Sequence, residues 1–139
     1  MHATRVPLTS LVNDPLAGSA SSAELQSVDR LLNAERTSTL QRITSLTRQF
    51  DAIVESTVFT TNDDEHDPEG ATVAFERAQV GALLAAAKRH LAAVDRAATR
   101  FLDGSYGVCE RCGQAIAQER LAALPAVGTC IGCTSRNRR

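Results

Sequence analysis

Four cysteines, two pairs of identical spacing, are the residues of this 139-residue chain best suited to chemistry. Cys109 and Cys112 form one C-x-x-C pair, Cys130 and Cys133 the other, with 17 residues between Cys112 and Cys130. A two-residue gap lets one tight turn aim both thiolates at a single point, and this separation of pairs is within the range of four-cysteine zinc sites. Zinc in a structural role takes a closed tetrahedron of such ligands. One structural Zn2+ held by Cys109, Cys112, Cys130 and Cys133 is therefore expected. Catalytic zinc needs an open coordination position, which four thiolates close, and a redox C-x-x-C belongs at a helix start after a strand. Neither condition fits this sequence, so the chain reads as a non-enzyme.

The second concentration of reactive groups is acidic. Residues 63–69 read D-D-E-H-D-P-E, five carboxylates in seven residues. Such density repels itself, so it stays solvated or meets a positive partner. Asp67 before Pro68 has an ordinary duty as a helix N-cap. Asp63, Asp64 and Glu65 have no capping duty and are the stronger candidates for partner contact. His66 reads as a solvated side chain rather than a metal ligand, and nothing here builds an octahedral magnesium cage.

The elements that must position these groups are helical. Ala and Leu dominate the apolar residues, with four Phe, one Tyr and no Trp, a composition that favours helix over sheet. Ser21 and Glu24 stand in the S-x-x-E relation of a capping box. From there to about residue 57 there is neither Pro nor Gly. Leu25, Val28, Leu32, Leu40, Ile43, Leu46, Phe50 and Ile53 recur at helical spacing, with a break near Arg36. A second helix is expected after Pro68, with a 3.5-residue seam of Val73, Arg77, Val80, Leu84, Ala87, Leu91, Val94, Ala98 and Phe101; Gly81 falls off it. Residues 103–105, Asp-Gly-Ser, end that helix. Neither helix is stable alone with one apolar stripe. The expected fold is mainly α: a long antiparallel helical hairpin, or coiled coil, with a small C-terminal four-cysteine zinc-finger module. An intermolecular coiled coil is the rival arrangement. Within the finger, residues 114–124 favour helix, with Ile116, Leu121 and Leu124 covering the metal. The six residues after Cys133 are basic and too few for an element of their own.

The expected organisation is a mobile N-terminal arm at 1–20, a hairpin at 21–104 with its acidic tip near 62–69, a finger at 105–135 and a basic tail at 136–139. Net charge is −1, which excludes a strong global field for nucleic acid or membrane. The N-terminus has no signal-peptide h-region and no apolar run reaches the roughly 18 residues of a spanning helix. A cytoplasmic location without membrane association is expected, where thiols stay reduced and ligate metal. Arg111 and Arg120 in the finger are balanced by Glu110 and Glu119. Sequence-specific DNA binding is not expected, and the tail arginines offer only weak, salt-sensitive phosphate contact.

The string Tyr106-Gly107, Cys109-x-x-Cys112-Gly113, Ile116, Arg120-Leu121, Ala123, Pro125, Cys130-x-x-Cys133 resembles the zinc-finger signature of the DksA/TraR family. The helix pair joined by an acidic loop is similar to that family's coiled coil. The resemblance implies a monomeric bacterial transcription regulator that binds RNA polymerase rather than promoter DNA. It also implies a coiled coil inserted into the secondary channel, where the tip residues Asp63, Asp64, Glu65 and Asp67 modulate initiation. Some members act together with ppGpp, which places that nucleotide at the polymerase interface. The family tip follows D-x-x-D-x-A; here Asp64 and Asp67 keep the first spacing, Glu69 stands in the Ala position and Ala71 comes two residues later. The alternatives from other classes are a DNA-binding zinc finger and a coiled-coil adaptor without polymerase activity.

Overall fold

A computed structural model describes residues 20–59 and 68–137. Four helices make up the described chain: α1 (Ser22–Val58), α2 (Pro68–Asp103), α3 (Gln118–Ala123) and α4 (Ile131–Arg136). Among the described residues there is no strand, only a single antiparallel bridge between Val108 and Ala115.

α1 starts where its cap chemistry dictates. The Ser21 hydroxyl accepts from the Glu24 N–H, and the Glu24 carboxylate accepts from the Ser21 N–H at 2.7 Å. Two N–H groups that the first turn leaves without helical partners are thereby satisfied. α2 opens on Pro68, whose fixed φ and missing N–H suit a first helical position. At 37 and 36 residues, each helix is about 55 Å long.

The two long helices pack on each other within one chain. Arg36 meets Asp95 at 2.9 Å, Glu35 meets His90 at 2.6 Å, and Phe50 faces Gly81. Arg36 of α1 is level with Asp95 of α2, and Phe50, further along α1, with the earlier Gly81, so the pair is antiparallel. The hairpin core holds Leu32, Thr39 and Leu46 against Ala87, Val94 and Ala97. Val94 is fully buried.

Three seam positions differ from the sequence expectation. Thr39, at 5% exposure, occupies the seam in place of Leu40, which is 37% exposed. The stripe runs through Leu32, Glu35, Thr39, Ile43 and Leu46, in steps of three or four, whereas Leu40 would stand five residues from Glu35. Thr39 is tolerated because its hydroxyl donates to the Glu35 carbonyl at 2.7 Å, leaving no orphaned polar atom in the core. Gly81 lies on the packed face rather than off it: a Cβ there would stand 3.5 Å from the Phe50 ring. That is ordinary van der Waals contact, so the position packs against the ring and an alanine would fit there. Ala97 is also more deeply buried than its neighbour Ala98.

By the same register Val28 stands level with Asp103. The first turns of α1 therefore extend beyond the end of α2 and lie beside the cysteine-bearing segment. The distal ends of both helices are at the opposite end of the hairpin. No described helix is long and apolar enough to cross a membrane.

Candidate metal centre

The chain leaves α2 through a tight turn. Gly104 has φ of 82°, a left-handed conformation that glycine adopts without a Cβ penalty. The N–H groups of Ser105 and Tyr106 both donate to the Arg100 carbonyl, at 2.9 and 3.0 Å. The Asp103 carboxylate accepts from the Ser105 hydroxyl and N–H, and these bonds hold it below its ordinary pKa.

The first cysteine pair is held by a short backbone ladder. Cys109 N–H donates to Gln114 O at 2.8 Å, and Ile116 N–H to Gly107 O at 2.7 Å. Gly113, with φ of 72°, closes the knuckle by donating its N–H to Cys109 O at 2.9 Å. The second pair uses a helix start. Cys130 is the N-cap of α4 and Cys133 its third residue, so both thiols project from the same turn. The backbone bond from Glu110 N–H to Gly128 O, at 2.9 Å, joins the two halves.

This scaffold brings all four sulfurs within 4.8 Å of one another. Sγ of Cys112 and Sγ of Cys130 are 3.7 Å apart. A tetrahedron with Zn–S bonds of about 2.3 Å has edges of about 3.8 Å, so the donor set fits zinc in type and in size. Cys109 and Cys133 are buried, Cys130 is half-buried and Cys112 is exposed. The Cys130 N–H donates to the Cys109 sulfur at 3.3 Å, a bond that stabilises thiolate and orients it.

Before metal binds, the thiols are unequal. N–H groups of Cys130 and Cys112 pull Cys109 down to about 6. The Cys133 N–H, at the start of α4, lowers Cys130. The bond with Cys130 and burial push Cys133 up to about 12. Several thiolates cannot crowd together without a cation; zinc supplies the charge that lets all four ionise. With four sulfurs the coordination shell is closed, so the one zinc is structural.

The metal's apolar side is Ile116 and Leu121, packed with Cys109 and Cys133 and flanked by Tyr106, Val127 and Cys130. Leu124 does not join them. It is 52% exposed because α3 spans only Gln118–Ala123 and ends before it. The segment after Cys130 also departs from expectation: it forms α4, since the helix begins inside the cysteine pair and Thr134, Ser135 and Arg136 complete it.

Two arginines hold this module together: Arg120, read from the sequence as a charge and a signature position, and Arg100, which that reading did not single out. Arg120 donates from Nε to Thr129 O and from a guanidinium nitrogen to Thr134 Oγ1, both at 3.1 Å. Arg100, in the last turn of α2, donates to the carbonyls of Ser105, at 2.9 Å, and Val108, and pairs with Glu110 at 3.3 Å. Tyr106 adds a bond from its hydroxyl to Pro125 O at 2.8 Å and an edge-on contact with the Phe101 ring. A signal for Arg100 existed: it is a charged residue directly beside a seam aromatic at a helix end.

The acidic candidates Asp63, Asp64, Glu65 and Asp67 lie outside the described residues, as does the N-terminal arm except its last residue, Ala20. The described helices stop at Val58 and resume at Pro68. The cysteines thus follow the end of α2 at Asp103, and the acidic segment joins the other end of the hairpin, between Val58 and Pro68.

Residues 104–138 match the family described as "Prokaryotic dksA/traR C4-type zinc finger". An uncharacterized protein of Aquifex aeolicus (strain VF5) is 39% identical over 46 residues, covering 33% of this chain and 32% of that protein. The uncharacterized protein YteA of Bacillus subtilis (strain 168) is 34% identical over 74 residues, 53% of this chain and 31% of that one. General stress protein 16O of the same organism is 37% identical over 62 residues, 45% of this chain and 38% of that one. The matches thus span about a third of the length of these curated relatives. In fold, the chain is similar to the transcription factor DksA2 from Pseudomonas aeruginosa. The TM-score is 0.69 at 24% identity, over 90% of this chain and 91% of that one. The likeness to the DksA/TraR family in sequence thus lies in the C-terminal finger, residues 104–138, and the likeness over the rest of the chain is one of fold.

Proposed function

We propose that this protein is a non-enzymatic bacterial transcription regulator that binds RNA polymerase. In this reading the hairpin enters the secondary channel and its acidic tip acts near the active centre to modulate initiation. One observation carries the reading. The acid-rich segment is joined to the hairpin end remote from the zinc site, by about 50 Å of helix. A long, thin rod with a charged end and an inert metal base is built to reach into something narrow.

The described residues at that end support a contact surface. Val58, Phe59 and Phe75 are 66%, 89% and 69% exposed, and they flank the segment that carries Asp63, Asp64, Glu65 and Asp67. Exposed aromatic and aliphatic side chains beside dense carboxylates suit a partner that offers both apolar and cationic groups. The finger, closed around its metal, serves as the base. In this account the protein acts as a monomer in the cytoplasm, without sequence-specific DNA contact, and ppGpp, where it matters, binds at the polymerase interface.

The test is transcription in vitro with purified polymerase, run with and without ppGpp. Replacing Asp63, Asp64 and Glu65 together by Ala should abolish the effect on initiation while polymerase binding and zinc content persist. Unchanged transcription with the triple variant would refute the role of the tip. Tight promoter binding by the protein alone, with no retention of polymerase, would favour the DNA-binding alternative instead.

A further inference from the structure

The first turns of α1, which extend past the end of α2, leave a groove against the finger. Val28 and Leu31 line it from α1, and Tyr106, Leu121 and Ala122 from the finger. Its volume is about 210 Å³, below the roughly 300–1,000 Å³ of small-molecule sites and enough for one or two aliphatic side chains. Its acidic rim residue, Glu24, is already committed to the α1 capping box. Ser27 and Gln118 are its other polar lining residues, and Val28, Leu31, Leu121 and Ala122 suit an apolar occupant. Leu25 and Leu31, both more than a third exposed, extend the same apolar surface along α1.

We infer that this groove is the docking site for the chain's own N-terminal segment, residues 8–16. That segment carries Leu8, Leu11, Val12 and Leu16, the aliphatic side chains the groove lacks. Reach decides in its favour. Val28 lies about 10 Å along the helix from Ser21. The five residues from Leu16 to Ser21 span up to about 17 Å, and the ten from Leu11 up to about 34 Å. Gly18, in the connection, permits a reversal of direction. A segment tethered this closely has an effective concentration in the mM range, well above that of a second copy of the chain in solution. Docked, the segment straps the base of α1 to α3 and shields Leu121, which packs against the metal-binding core.

The experiment uses the full-length, zinc-loaded protein with a benzophenone amino acid in place of Leu11. After illumination, mass spectrometry of the monomer should find crosslinks within one chain to residues 24–31 and to 106 or 118–122. Leu31→Glu from the α1 side and Ala122→Glu from the finger side, each checked for zinc content and helicity, should reduce those crosslinks severalfold. Both positions line the groove without entering a core, so at least one variant remains folded. Crosslinks between chains, crosslinks scattered elsewhere, no crosslinks, or yields unchanged in every folded variant would each overturn the inference.

Discussion

Arg100→Ala should loosen the zinc site although residue 100 is no ligand. The Arg100 side chain is only 15% exposed and its guanidinium holds the carbonyls of Ser105 and Val108. Val108 immediately precedes Cys109, so the bond fixes where the first ligand starts. A hydrogen bond with a charged partner contributes about 1.5–3 kcal/mol. Val108 is itself partly exposed, so water can replace part of the loss, and the Glu110 pair, at the surface, adds little. A total of about 2–3 kcal/mol remains for the two carbonyl bonds together. Because binding energy at a structural zinc site is folding energy, the same amount should appear in metal affinity. That is a loss of roughly 30- to 150-fold. Ala has the higher helix propensity and would not weaken α2, so the hairpin's helicity should persist. Competition with a chromophoric chelator measures the affinity, and circular dichroism reports the hairpin. Arg100→Lys keeps the charge near the helix C-terminus but not the fork, and should lose part of the affinity. Wild-type zinc affinity in Arg100→Ala would refute the view that α2 organises the finger.

Three further outcomes are expected. Complete chelation of zinc should unfold the finger while leaving the hairpin. α3 and α4 have six residues each against 37 and 36 in α1 and α2, so the helical dichroism should fall by only roughly a seventh. Tyr106 is the only tyrosine and there is no tryptophan, which makes its phenol a clean probe. Burial raises its pKa above the ordinary 10, so its stabilising contribution holds below pH 10 and is lost as pH rises through the folded value. Phenolate absorbance should appear later in the zinc-loaded protein than in the chelated one; coincident titrations would contradict the packing. Thr39→Val removes a hydroxyl whose partner is only the Glu35 carbonyl of its own helix and should leave stability unchanged or raise it by up to about 1 kcal/mol in chemical denaturation.

The legible part of the sequence was the part written in local chemistry. The Ser21/Glu24 capping box, Pro68 at a helix start, Gly104 after one and the two C-x-x-C pairs each act within a few residues. Each was readable because its cause is next to it in the chain. The seam was read in outline and misread at Thr39 and Gly81. Periodicity ranks residues by hydrophobicity, whereas packing selects them by position and size. Thr39 is tolerated in the core because its hydroxyl has a carbonyl four residues back, and Gly81 meets Phe50 because its position on the helix faces the ring. Arg100 and Arg120 were hidden for another reason. Most of their partners are backbone carbonyls, which carry no residue type, so Arg100 showed only as a charge beside the seam aromatic Phe101 and Arg120 only as a charge and a position in the finger signature. α4 was missed because a tail length was counted from Cys133, whereas the helix starts at the other cysteine of the pair.

The central claim is that the acidic end of the hairpin reaches the polymerase interior. A photo-crosslinking residue in place of Asp64, in the full-length protein bound to RNA polymerase, tests it directly. The account predicts crosslinks to residues that line the secondary channel close to the catalytic magnesium, and none from a probe at Ile131 in the finger to the same place. Crosslinks from position 64 confined to the outer surface of the polymerase, or complex formation that leaves it uncrosslinked, would contradict the account.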